Sequence, residues 1–127
     1  MFTRHKPATV APPSSKFCHA VGVEGAARWL HVSGQVGATP EGAVAGDAGA
    51  QMEQCWRNIL NILADAGMDR DNLVKVTAYV TDDALIGQYR QVRDRMLDGY
   101  ECASTLVVVA ALANPDWVVE IEAVAAA

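Results

Sequence analysis

The side chains best placed for chemistry lie near the end of the chain. Glu120 and Glu122 alternate with Val119, Ile121 and Ala123, so both carboxylates share one face of a strand. A carboxylate at mid-strand needs a partner: either it serves a cleft, or backbone and water satisfy it. Ser104 and Thr105 put two hydroxyls on the preceding apolar run. Cys18, His19 and Cys102 raise the question of a thiolate activated by an imidazole. Adjacent strand residues face opposite ways, so Cys18 and His19 cannot form that dyad with each other, and cysteine also serves as a small buried side chain. His31 alternates within an apolar strand, as a hydrogen-bonded core or interface histidine does. Arg90, Arg93 and Arg95, with Asp94 and Asp98, have the spacing of the solvated face of an amphipathic helix. The three histidines, at 5, 19 and 31, have no metal-ligand spacing, and Gly42, Gly46 and Gly49 match no nucleotide fingerprint. Neither a metal nor a cofactor is expected.

Two helices and five strands must position these residues. From Asp47 to Ala66 the apolar residues Met52, Cys55, Trp56, Ile59, Leu60, Ile62 and Leu63 follow the spacing of one buried stripe, with Asp47 as N-cap and Gly67 as the stop. A second stripe, Leu85, Ile86, Tyr89, Val92, Met96 and Leu97, predicts a helix over about Asp83 to Asp98, stopped by Gly99. Short β-branched runs predict strands at Phe17–Val23, Arg28–Ser33, Leu73–Thr81, Ser104–Leu112 and Trp117–Ala125, the first two forming a hairpin across Glu24-Gly25-Ala26. The order β, β, α, β, α, β, β implies an α+β two-layer sandwich with both helices on one face of the sheet.

The 127 residues make one domain, and 51% hydrophobic against 20% charged residues is enough to bury a core without disulfide or metal. Residues 1–15, rich in Pro and Thr, are expected to form a poorly ordered arm ahead of a single domain at 16–127. A net charge of −5, with no basic run, argues against nucleic acid as a partner. Three cysteines without CxxC spacing fit a reducing, cytoplasmic compartment. The longest uncharged run after the arm, Cys102 to Pro115, is too short and too polar to cross a membrane.

Two helices cover only one sheet face. In Ser104–Leu112 both alternating sets are largely apolar, so both faces are expected to be dry and something besides the helices must cover the second. Self-association of the sheet would bury that face, together with Glu120 and Glu122.

Four segments in this order carry a resemblance: Val32-Ser33-Gly34-Gln35-Val36, the helix Gln51 to Gly67, the run Val74 to Asp82, and Val119-Glu120-Ile121-Glu122-Ala123-Val124-Ala125. Together they resemble the Rid family, also called the YjgF family, whose best-known members are deaminases of reactive imines and enamines. The resemblance covers about residues 16 to 127. It implies a chorismate-mutase-like fold, a homotrimeric barrel, and three small-molecule clefts between subunits. In such deaminases an arginine in a Pro-Ala-Arg-Ser stretch clamps the substrate carboxylate, and a glutamate of the closing strand holds the attacking water.

Carried over by position, the glutamate falls on Glu120, the turn glycine on Gly34 and a first-strand aromatic wall on Phe17. The arginine position holds Ser104, in the stretch Cys102-Ala103-Ser104-Thr105, and no neighbour on that strand is basic. Cys102 and Thr105 border the same position as ligand-binding candidates. Arg90 falls where these deaminases carry a cleft-side asparagine, so a replacement cation could arrive from the helix. The resemblance thus implies a homotrimer that binds a small metabolite without the arginine-dependent 2-imino-acid deaminase activity. The alternative is a hydrolase of another imine or enamine, with Glu120 and Ser104 as its catalytic residues and Thr105 beside them. An endoribonuclease role, also attached to relatives, conflicts with a pI near 5.0.

Overall fold

A computed structural model describes all of residues 1–127. The main sheet has four strands in the order β3 (Trp29–Val36), β6 (Val119–Ala126), β4 (Leu73–Val80), β5 (Ala103–Val108). β6 runs antiparallel to both its neighbours, and β4 and β5 are parallel, so the sheet is mixed. The parallel pair requires a crossover, which α2 (Ile86–Met96) provides. α1 (Ala48–Asp65) packs beside α2, and both lie on one face.

Local chemistry sets the helix ends. Asp47 caps α1 by accepting from the Ala50 N–H at 2.9 Å. Gly67, at φ 69°, closes it: Gly67 N–H donates to Ala64 O, and Met68 N–H to Leu63 O at 2.8 Å. α1 therefore lies within one residue of its expected bounds. α2 is shorter than expected, because Asp83–Leu85 form a separate 3₁₀ turn capped by Asp82. Its stop also differs by one residue: Asp98, at φ 51°, takes the left-handed position ahead of Gly99.

The core lies between the helices and one side of the sheet. Met52, Cys55, Trp56, Ile59 and Leu63 of α1, with Tyr89 of α2, pack on Val76, Ala78 and Val80 of β4 and on Val119, Ile121 and Ala123 of β6. The alternating residues of those strands, Lys75, Thr77, Tyr79, Glu120 and Glu122, line the opposite, open face.

Three expectations change. The arm contributes strand β1 (Phe2–His5), which pairs antiparallel with β2 (Ala20–Val23) in a separate sheet. The predicted hairpin therefore does not form. Cys18 bridges Ala103 at the start of β5, the edge opposite β3, so β2 lies away from β3 and takes β1 as its partner. Strand β5 ends at Val108 rather than Leu112, and its faces are not dry in the single chain, where Val107 and Val108 are 39% and 45% exposed. Val107, paired with Tyr79, is on the open side, which nothing within one chain covers, whereas Val108, paired with Val80, is on the helix side at the end of the strand.

Candidate functional site

Two half-sites emerge, on different sides of the sheet. The first is acidic and is built around a β-bulge. Val32 pairs with Ala123 and Gln35 with Ile121, which leaves Ser33 and Gly34 bulged out of β3. A Cβ on Gly34 would stand 2.9 Å from Glu120 Cδ and collide with the carboxylate, so only glycine lets Glu120 lie against this backbone. Helix α1 pins the turn from below. Asn58 Nδ2 donates to Val36 O at 3.2 Å and to Ala38 O at 3.0 Å, and the Cys55 thiol contacts Gln35 O at 3.3 Å. Buried Gln51 fixes the approach to β6, donating to Asp116 O and accepting from the Val118 N–H, both at 3.1 Å.

The acidic cavity measures about 370 Å³ and is lined by Gly34, Tyr79, Glu120 and Glu122, with Val109, Ala111 and Leu112 beside them. Tyr79 donates its hydroxyl proton to Glu122 Oε1 at 2.6 Å. That hydrogen bond, more than any other influence, raises the phenol's pKa. No ion pair of the protein engages Glu120 or Glu122. Such a pocket accepts hydrogen bonds and can hold a water or a protonated nitrogen.

The second half-site is basic and lies where α2 passes the edge strand β5. A cavity of about 190 Å³ is lined by Ser14, Ser15, Phe17, Arg90, Arg93, Ser104 and Leu106. Ser104 pairs with Val76, whose side chain is in the core, so its hydroxyl is on the helix side. Arg93 is only 6% exposed, and its guanidinium lies 6.0 Å from the Tyr89 ring centroid. Its Nε and Nη2 donate to Asp94 Oδ1 at 3.0 and 2.9 Å, which leaves Nη1 without a protein acceptor. Arg90 is half-buried and has no carboxylate partner. The arm is held over this edge by Arg4, which donates to Glu101 O at 2.8 Å and stacks 4.8 Å from the Tyr100 ring centroid, and by the Lys6–Glu101 ion pair. This pocket can hold an anion.

Residues 8–127 match the family model described as Endoribonuclease L-PSP. The chain is 33% identical to the mouse 2-iminobutanoate/2-iminopropanoate deaminase over 125 residues, 97% of this chain and 87% of that protein. The chain belongs to the Rid family. A RutC family protein of Aquifex aeolicus is 41% identical over 71 residues, and there the chain spans about half of the relative's length, 54%. A Yersinia pestis structure described as a protein of unknown function of the conserved Rid family, YyfB, superposes with a TM-score of 0.89 at 30% identity, covering 99% of this chain and 98% of that one.

In this Rid protein the seven residues singled out from sequence divide into groups. Glu120 and Gly34 meet in the acidic half, while Phe17, Ser104 and Arg90 meet in the basic half. Thr105 belongs to neither: it accepts from Lys75 Nζ at 2.6 Å on the open face. Cys102 is in the core, where burial pushes its thiol up to about 12. Burial likewise lifts Cys18, and it takes Cys55 to about 12, so no thiol is poised as a nucleophile near neutral pH. His31 is exposed on the open face, beside Lys75, Thr77 and Glu122.

Ser14, Ser15, Leu106 and Arg93 were not legible as site residues. For Arg93 a signal existed: it stands four residues after Tyr89 and one after Val92, on the buried side of α2. Its charge argued for solvent, and spacing won because Asp94 and the Tyr89 ring offset the cost of burial.

Proposed function

We propose that this Rid protein is a homotrimer that binds a small metabolite in clefts between subunits, each cleft joining the acidic half of one protomer to the basic half of the next. One observation carries this reading: within a protomer the two halves share no residue and are separated by the sheet, with β4 between the strands of Glu120 and Ser104. Each half alone is open to solvent and incomplete. The uncovered apolar side chains of β5 supply the driving force for assembly, since burying them returns about 25 cal/mol per Å².

Relatives named as imine deaminases support a nitrogen-bearing reactive metabolite as the ligand class. With Ser104 on β5, a hydroxyl stands where the resemblance puts a carboxylate clamp. A 2-imino acid thus loses the guanidinium fork that would orient it toward a water held by Glu120. Binding without fast imino-acid hydrolysis is the resulting function. Hydrolysis of a different imine or enamine at Glu120 is the second reading, favoured by the carboxylate's freedom from ion pairs.

Light scattering on an eluting peak tests the assembly, with about three times 13.5 kDa expected. A stable monomer at micromolar concentration overturns the proposal. In the same preparation, hydrolysis of 2-iminobutanoate generated in situ should be at least about tenfold slower than in the mouse deaminase, the loss of one charge-assisted contact. Glu120→Gln should abolish ligand binding while leaving thermal stability nearly unchanged.

A further inference from the structure

We infer that the outer groove between the C-terminal ends of α1 and α2 docks a short segment of a partner protein, an amphipathic helix with apolar anchors and basic residues at one end. The groove has a volume of about 360 Å³, with Leu60 and Ala64 of α1, Met68 and Met96 of α2 as its apolar floor and Asp69 and Asp71, on the connection to β4, at its rim. It shares no residue with either half-site and lies in the helical layer rather than on the open sheet face, so it is separate from the cleft proposed above.

The floor has the spacing of a helix-binding groove. Leu60 and Ala64 stand one above the other on the last turns of α1, and Met68, just past the Gly67 stop, continues the line into a strip on the order of 10 Å long. Ala64 is small and exposed, so a dip opens between its larger neighbours, wide enough for one apolar side chain. Met68 and Met96 close the lower end, and their unbranched thioethers adapt to whatever side chain is placed against them. Such a strip matches the i and i+4 anchors of a helix laid along it, whereas a small molecule favours an enclosed pocket.

Charge selects the polar residues of the partner. At the lower end Asp69, Asp71 and Asp98 face Arg70 alone, which lies 3.6 Å from Asp71 and 3.3 Å from Asp98, so two negative charges remain uncompensated. The C-terminal ends of both helices add the negative poles of their dipoles. Asp65, at the end of α1, is offset by Arg28, which donates to Ala66 O at 2.8 Å. Beyond the upper end the balance reverses, because Arg57 and Arg95 share Glu53 at 2.9 and 3.6 Å. The groove is therefore polarised: it suits Lys or Arg over the Asp69–Asp71 end and none over Leu60, and its acidic end repels the phosphates of nucleic acid and of anionic membranes. The rim is also rigid. Asp69 accepts from the Asp71 N–H at 2.8 Å, its own N–H donates to Asn72 Oδ1 at 2.9 Å, and the Tyr100 hydroxyl donates to Leu73 O at 2.8 Å. A partner thus meets a preorganised surface, which lowers the ordering cost of binding.

The experiment is fluorescence anisotropy of a labelled synthetic peptide of about twelve residues, with leucines at i and i+4 and a pair of lysines at one end. One control peptide has glutamates in place of the lysines, and another has its leucines moved next to each other. The lysine peptide should bind at least about tenfold more tightly than either control. Ala64→Gln, which fills the dip without changing the charge, should weaken that binding about tenfold, and Asp71→Asn should weaken it several-fold and flatten its salt dependence. Both positions are exposed, so the melting temperatures of these variants should match the wild type. Glu120→Gln should bind the peptide as the wild type does, which separates failure of the groove from failure of the cleft. No binding of the lysine peptide at about 1 mM, equal binding of the lysine and glutamate peptides, or equal binding by wild type and Ala64→Gln overturns the inference. So does loss of binding in Glu120→Gln, which would put the peptide in the cleft, or a changed oligomeric state of Ala64→Gln in light scattering, which would make the groove a contact between copies of this chain.

Discussion

The acidic and basic halves differ in how they are held. The Glu120 half rests on β6, one of the two inner strands of the main sheet, whose approach Gln51 of α1 fixes, and on a bulge that α1 fastens with Asn58. The Arg90 half rests on an edge strand, on a helix bounded by a 3₁₀ turn and a left-handed aspartate, and on an arm tied down by Arg4 and Lys6. The first is fixed by backbone geometry and tolerates little change. The second is assembled from side chains of three separate elements, the arm, α2 and β5.

The largest test of this contrast is Gly34→Val. The new side chain must displace the Glu120 carboxylate, which can swing into the open cavity, so ligand affinity should fall more than about tenfold while stability in denaturant unfolding changes little. Ser104→Val in the other half removes only one hydroxyl contact and should weaken binding several-fold with stability nearly unchanged. If the two variants lose equal affinity, the distinction between a backbone-built and a side-chain-built half fails.

A pH series gives the next effect. Cys55 and Cys102 have raised pKa values in the folded chain, about 12 against 9.0, so the unfolded chain releases these protons first. Their contribution is complete below pH 9 and is lost as pH climbs toward 12. Tyr79, also raised, adds loss of its Glu122 hydrogen bond above pH 10. Melting temperature should decline through this window. Ligand binding should weaken from the acidic side first, because the arginines keep their charge there.

The smallest expected effect concerns the end of α2. Asp98→Gly relieves a left-handed non-glycine residue and should stabilise by up to about 1 kcal/mol, less the small contribution of the exposed Arg70–Asp98 pair. Binding should not change, since Asp98 lines neither half. A shift in ligand affinity would show that the basic half depends on how α2 ends.

Much of the fold was legible in the sequence because periodicity and capping are local. The stripe from Met52 to Leu63, the Asp47 cap and the Gly67 stop located α1, and the alternation Val119 to Ala123 placed both glutamates on the open face. The order of helices and strands implied the two-layer architecture, and four segments in sequence identified the family. Pairing partners are not local. Strand β2 chose β1 over β3, and residues expected to be an arm became part of the basic half, because long-range contacts to Cys102, Ala103 and Glu101 decide where that segment lies. The same holds for the site. Sequence named Glu120, Gly34, Ser104 and Arg90, but their division into two halves, with Thr105 turned to Lys75 and Arg93 drawn into the interior, follows from which face of a strand or helix each residue occupies once the layers are packed.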